Sequence, residues 1–158
     1  MSLKQKQVEV IEILAKHEEA AGQLYEEYAQ RFPDYKDFWS TLTGDEMEHA
    51  VWIRGLHSQI EEGSVYFKEG RFKMEAIKNS LDYLKGRLTE AQKEEISLIK
   101  ALSIARDIEK ALIEKKFFEV FEGDSVELKE VLLNLEAATK EHMDRIEKVW
   151  AKHTGRLS

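Results

Sequence analysis

The chain has 158 residues, of which 42% are hydrophobic and 35% charged, and its formal net charge is −7. That suits one domain, residues 1–158, around one sizeable core, and the acidic balance argues against a dedicated nucleic-acid binder, which displays a basic surface. Cysteine is absent, which excludes disulfides, thiolate metal sites, Cys-x-x-Cys redox pairs and a catalytic thiol.

The single proline, Pro33, and the few glycines leave the chain free to sustain long helices. No alternating run of β-branched residues marks a strand. The first predicted helix runs from about Leu3 to Arg31, with Val8, Ile11, Leu14, Ala15, Gly22, Tyr25, Ala29 and Phe32 on one stripe. Pro33 stops it, and Asp34 is the expected N-cap of a second helix that reaches Glu62 and ends at Gly63-Ser64. A loop from Gly63 to Phe72 leads into a shorter helix, Lys73 to Arg87, whose apolar side is Ala76, Ile77, Leu81 and Leu84. Thr89 opens a new element, and Glu90 to Phe121 reads as the third long helix. Gly123-Asp124-Ser125 interrupts it, with Asp124 and Glu127 spaced as a capping-box variant, and the last helix runs from Val126 to Lys152. No apolar run resembles a signal peptide or is long enough to span a bilayer, so a cytoplasmic protein with no membrane partner is expected.

Loop lengths carry topology. The first two long helices are joined by a short turn, as are the last two, so each pair is expected to be antiparallel. Between the pairs lies a connection of about two dozen residues with its own helix. An all-α four-helix bundle with a long crossover containing an extra short helix is the ferritin-like arrangement.

Glu46-Met47-Glu48-His49 places a carboxylate and an imidazole three residues apart on the face that also carries Trp39, Leu42, Ala50 and Ile53. Residues so spaced share a helix face and can grip one ion. Buried charges are costly unless paired, protonated or metal-bound. Glu18 falls in register with Ile11, Leu14, Ala15, Gly22 and Tyr25, whereas Glu19 aligns with the solvated Glu12, Lys16, Gln23 and Glu26. Glu109 shares a stripe with Leu98, Leu102, Ala105, Leu112, Ile113 and Val120, and His142 with Leu128, Leu135, Ile146 and Val149. The two halves repeat. Glu18 precedes Glu46 by 28 positions, and Glu109 precedes position 139 by 30. A second Glu-x-x-His would need a glutamate at 139, where the chain has Thr139.

With these residues in view, the chain resembles the ferritin-like superfamily, and most closely the four-helix domain of rubrerythrin-type proteins, which carry a glutamate from two helices and a Glu-x-x-His or similar pair from the other two. The Glu18-to-Tyr25 spacing and the Glu46-Met47-Glu48-His49-Ala50 run both look like rubrerythrin. The resemblance implies a non-haem iron centre of one or two ions, with manganese or zinc as alternatives, held by Glu18, Glu46, His49, Glu109 and His142. It implies Glu46 and Glu109 as bridges, Glu18 as a cap on one ion, one histidine on each ion, and Tyr25 as a catalytic candidate. It further implies an oxidoreductase acting on peroxide, dioxygen or ferrous iron, and a homodimer through the first two helices with an unidentified electron donor. Two departures stand out. No cysteine-bound rubredoxin module is present, and Thr139 removes a carboxylate, so the second ion is expected to be held more weakly.

Plainer roles compete. A metal-binding but catalytically weak member would hold a single ion for storage, sensing or stability, whereas a degenerate bundle acting as an oligomeric or partner-binding module would pair its core acids with cations such as Arg106 or Arg145, and Lys116 falls on the third helix's stripe. His57 and His153 are expected at the surface or behind the ligands, His17 exposed, and Tyr25, Trp39, Trp52 and Trp150 in core or interface packing. The charged run Glu90 to Glu95 reads as a solvated helix face.

Overall fold

The computed structural model describes residues 2–66, 74–115, 122–123 and 126–155, and its fold is all-α. Helix α1 (Leu3–Arg31) starts on a reciprocal cap, in which Ser2 Oγ accepts from the Gln5 amide and the Ser2 amide donates to Gln5 Oε1. Pro33 ends it as expected, but Asp34 does not cap the next helix. Pro33–Tyr35 form a 3₁₀ turn, and α2 (Lys36–Arg54) begins after Tyr35 with no side-chain cap. The predicted second helix is divided. At Gly55-Leu56 the hydrogen bonding tightens to Leu56 N–H on Ile53 O, and a short α3 (His57–Glu62) follows, closed by Gly63 at φ 82°.

The crossover helix is longer than its sequence suggests. Helix α4 (Met74–Lys93) passes through Thr89, whose hydroxyl bonds back to Lys85 O, and keeps burying its apolar side as far as Ala91. The next helix starts where Ser97 Oγ accepts from the Lys100 amide, so α5 (Leu98–Lys115) begins about two turns later than expected. Helix α6 (Val126–His153) matches its predicted span within a residue. Two-residue strands that sequence alternation could not reveal, β1 (Val65–Tyr66) and β2 (Glu122–Gly123), pair antiparallel and tie the start of the crossover to the segment before α6. The expected roles of Asp124, Lys116 and Val120, and the side chains of Leu112 and Ile113, lie outside the described residues.

Contacts fix the helix directions. Arg54 of α2 reaches back to Glu12 of α1, Glu46 lies beside Gly22, and Trp39 packs on Tyr28, so α1 and α2 are antiparallel. Arg106 on Trp150 and Glu109 on His142 make α5 and α6 antiparallel. Asp45 on His142 and Gln59 on Glu127 set α6 against the α2–α3 direction. His17 on Ser80 and Arg31 on Gln92 O run α4 parallel to α1. The chain therefore goes up, down, returns along α1 through α4, and then goes down and up.

The apolar interior divides into two clusters. One gathers Leu24, Tyr25, Tyr28, Trp39, Leu42, Leu102, Ile108 and Ile146 with their neighbours. The other gathers Val10, Ile11, Leu14, Ala50, Ile53, Leu128 and Leu135 with theirs. Between them the helices change character at one level: His17-Glu18 on α1, Glu46 to His49 on α2, Glu109 on α5, and Thr139 to His142 on α6, with Glu18, Glu46, His49, Glu109, Thr139 and His142 all buried. A fully buried Leu, Ile or Phe side chain stabilises by about 1.5–3 kcal/mol, so the flanking clusters supply the packing energy that holds this polar layer in place. No described helix is long and apolar enough to cross a membrane.

Candidate metal centre

Glu18 comes from the middle of α1, where the helix turns its carboxylate toward α2 rather than outward. Its sequence neighbour Glu19 stays at the half-exposed edge of the same helix pair and joins Glu12 in gripping Arg54 of α2. The close approach of the two helices depends on Gly22, one turn along α1. A Cβ there would lie 2.9 Å from Met47 Cε and 3.4 Å from Glu46 Cβ, so glycine lets α2 bring Glu46 against α1.

Five side chains anticipated from the sequence meet here, in two groups that share a member. Glu18, Glu46 and His49 form one group and Glu46, Glu109 and His142 the other; within each, the possible ligand atoms all lie within 4.8 Å of one another. Glu46 straddles them, with Oε2 3.5 Å from His49 Nδ1 and Oε1 3.0 Å from His142 Nδ1. Glu18 Oε2 is 3.8 Å from His49 Nδ1, and Glu109 Oε1 is 3.4 Å from His142 Nδ1. The imidazole rings stack at 5.7 Å between centroids. Glu109 belongs to the second group alone, so only Glu46 takes the position between the two groups that the resemblance implies for both.

Among the described residues, the ion-pair partners of these carboxylates are the two imidazoles. Arg106 instead pairs with Glu147 and lies over the Trp150 ring, and Arg145 pairs with Glu141 and Asp45. Tyr25 donates its hydroxyl to Glu109 Oε1 at 3.1 Å while its ring packs on Trp39. Thr139 is buried one turn before His142, and its hydroxyl donates to Leu135 O rather than to a carboxylate.

Burial and mutual repulsion set the electrostatics. Burial, reinforced by the Glu46 charge, pushes the Glu18 carboxyl up to about 8. Glu46 is held low: burial opposes its charge, but hydrogen bonds with Glu18, His142 and His49 outweigh that. Burial also opposes charging the histidines. It is overcome by hydrogen bonds to Glu18 and Glu46 at His49, pushed up to about 10, and by those to Glu109 and Glu46 at His142, pushed up to about 11. Tyr25 is raised well above the ordinary phenol range by burial and then by the Glu109 charge, so it keeps its proton.

One contributor escaped the sequence reading. Asp45 Oδ2 accepts from His142 Nε2 at 3.0 Å and is itself within 3.5 Å of Arg145. With a proton kept on Nε2 by Asp45, Nδ1, which faces Glu46 and Glu109, is the nitrogen left to ligate once its own proton is lost. Asp45 directly precedes Glu46 and lies off the apolar stripe, half exposed; a helix-face criterion discards such a residue, and only the position of α6 reveals its partner. His49 has a different backing, the Trp52 ring at 5.2 Å. His17, expected to be exposed, is buried and bonded to Ser80 Oγ at 2.7 Å, because α4 covers the side of α1 that a four-helix layout leaves open to solvent. His57 is exposed beside Glu61, and His153 lies against Tyr35.

The donor set tests well against a divalent ion. Carboxylate oxygen and imidazole nitrogen without thiolate suit iron, manganese or zinc. Glu109 Oε2 is buried with no hydrogen-bond partner among the described residues, and Glu46 Oε2 makes no short hydrogen bond, facing His49 Nδ1 at 3.5 Å, a costly condition for carboxylate oxygens that a cation relieves. These buried Glu/His groups could hold a metal ion. No family model, curated protein or solved structure matches the chain.

Proposed function

We propose that the chain is a ferritin-like, rubrerythrin-type protein with a dinuclear non-haem iron centre, acting as an oxidoreductase on peroxide, dioxygen or ferrous iron. The observation that carries this reading is the sharing of Glu46 between two buried Glu/His groups. A pair of ions bridged by one carboxylate needs that arrangement, and a core neutralised by its own salt bridges does not. The down-and-up return of α5 and α6 after a crossover along α1 supports the same reading, since that is the helix order of ferritin-like proteins.

In this reading Glu18 and His49 would hold one ion and Glu109 and His142 the other, with Glu46 shared between them. Iron held there would supply the redox chemistry, with its electrons replenished by a donor outside the chain. Asp45 orients His142, and the protonated hydroxyl of Tyr25, donated to Glu109, holds a proton beside the centre. The apolar clusters on either side keep water out, which strengthens every electrostatic interaction within. Assembly as a homodimer through α1 and α2 belongs to the same proposal and is checked by sedimentation.

The test is anaerobic ferrous titration followed by exposure to oxygen or peroxide. Uptake of two ions per chain, one for each group, with a near-ultraviolet band that grows on oxidation, is the expected outcome. No uptake after loading overturns the metal centre and leaves a bundle whose histidines and glutamates neutralise one another. Uptake without oxidation overturns the oxidoreductase.

A further inference from the structure

The two ligand groups are alike in composition, each with two carboxylates and one imidazole, and they share Glu46. The centre therefore holds three carboxylates in all: Glu18, Glu46 and Glu109. Two divalent cations would bring four positive charges against three negative ones. Asp45 stands at the half-exposed rim of the layer, where it shares Arg145 with Glu141 and solvent screens its charge, and Tyr25 is hydrogen-bonded as a neutral donor. One positive charge is left over in a layer whose ligands are almost wholly buried, between two apolar clusters. An uncompensated buried charge is expensive, so an anion from solution is favoured there.

The pseudo-repeat locates that anion. Thr139 occupies the place in the second half that Glu46 occupies in the first, three residues before a ligating histidine and buried on the same face as it. Thr139 cannot replace a carboxylate, because its hydroxyl proton is committed to Leu135 O at 2.9 Å and the group carries no charge. Beyond a Cγ in the place of the threonine methyl, a glutamate would carry one carboxylate group. A free carboxylate of that size is formate.

We propose that this chain, once loaded, binds a small monoanion of the carboxylate class across its two metal positions, in the place a glutamate at 139 would fill, so that Thr139 converts a fixed bridge into an exchangeable ligand site. The inference rests on the dinuclear reading and adds the class of ligand that the centre takes from solution.

The experiment loads the full chain with Co²⁺, whose visible absorption reports its ligands, and titrates with formate. The expected result is two cobalt ions per chain and a saturable change in the visible bands. In Thr139→Glu the tethered carboxylate competes at a high effective concentration, so half-saturation by formate rises by roughly tenfold or more while two ions still bind. Thr139→Val, which keeps the volume and supplies no carboxylate, should respond to formate as the unmodified chain does, and it serves where Thr139→Glu fails to fold. Full cobalt uptake with bands that formate leaves unmoved, as when solvent hydroxide already supplies the charge, overturns this inference and leaves the dinuclear centre standing. An unaltered formate response in a folded, loaded Thr139→Glu overturns the location. Absence of cobalt uptake overturns the dinuclear reading and this one with it.

Discussion

The two histidines of the polar layer face the same shared carboxylate, yet they are backed differently. His142 donates from Nε2 to Asp45, which Arg145 holds in turn, whereas His49 lies against the Trp52 ring. A hydrogen-bonded carboxylate fixes the tautomer and raises the basicity of the ligating nitrogen; an aromatic face fixes ring position by packing alone. The His142 half is therefore orientated electrostatically and the His49 half sterically, and the two should respond to different perturbations.

The widest separation comes from the shared member. Glu46→Ala takes a ligand from both groups and is expected to abolish uptake of both ions, whereas Glu18→Ala and Glu109→Ala each remove one. Metal analysis of the three variants checks this, and a Glu46→Ala protein that still holds two ions contradicts the sharing. Next in size is Asp45→Ala. Loss of such a partner typically costs 10–100-fold in metal affinity, and the loss should fall on the ion beside His142 while the other binds as before. Asp45→Asn keeps an acceptor for Nε2–H and should recover part of the affinity. Equal weakening of both ions would show that the two halves are not independently supported.

Both histidines and Glu18 are raised in the folded, metal-free protein, to about 10, 11 and 8. A group raised by folding contributes stability that is complete below its unfolded value and disappears as pH climbs through the folded one. Glu18 thus begins to lose its contribution above about pH 4.5 and the histidines above about 6.5, and the losses run on to about 8 for Glu18 and about 10–11 for the histidines. Glu46, lowered by folding, acts in the opposite sense, and its contribution is lost only as pH falls below its ordinary value of 4.5. The metal-free chain should therefore melt at progressively lower temperature from pH 6 toward pH 10. Metal binding needs deprotonated ligands, so the rise in melting temperature on loading should grow over the same interval. Thermal melts with and without Zn²⁺ measure both trends, and a metal-free melting temperature that climbs with pH would contradict the sign.

The buried polar residues of the layer were legible in the sequence because each lies on an apolar stripe, and Glu18 could be told from Glu19 by register alone. The boundaries around the crossover were less legible. Thr89 has the composition of a cap, but its hydroxyl bonds back within α4, and Ser97 does the capping. That choice depends on α4 packing along α1 as far as Ala91, a tertiary contact that local propensity does not encode. The same packing buries His17 against Ser80. Asp45 was hidden for a related reason: its importance lies in which helix stands opposite it.

The smallest expected effect concerns Gly22, which lies between α1 and α2 and touches the layer only through Glu46 and Met47. In Gly22→Ala the new methyl meets Met47 Cε at 2.9 Å, the mobile end of a flexible side chain, and Glu46 Cβ at 3.4 Å. Methionine can yield, so much of the overpacking relaxes. Alanine is also favoured over glycine by about 1 kcal/mol within a helix, which offsets part of the roughly 1–3 kcal/mol typical of overpacking. Net destabilisation should therefore be about 1 kcal/mol or less, read from urea unfolding of the metal-free chain. The displacement falls on Glu46, however, so any loss of metal affinity should be shared by both ions rather than confined to one. Asp45→Ala and Gly22→Ala thus form a pair, one expected to split the two halves and the other to move them together. A Gly22→Ala chain that weakens one ion alone would mean that Glu46 is not the common support of both.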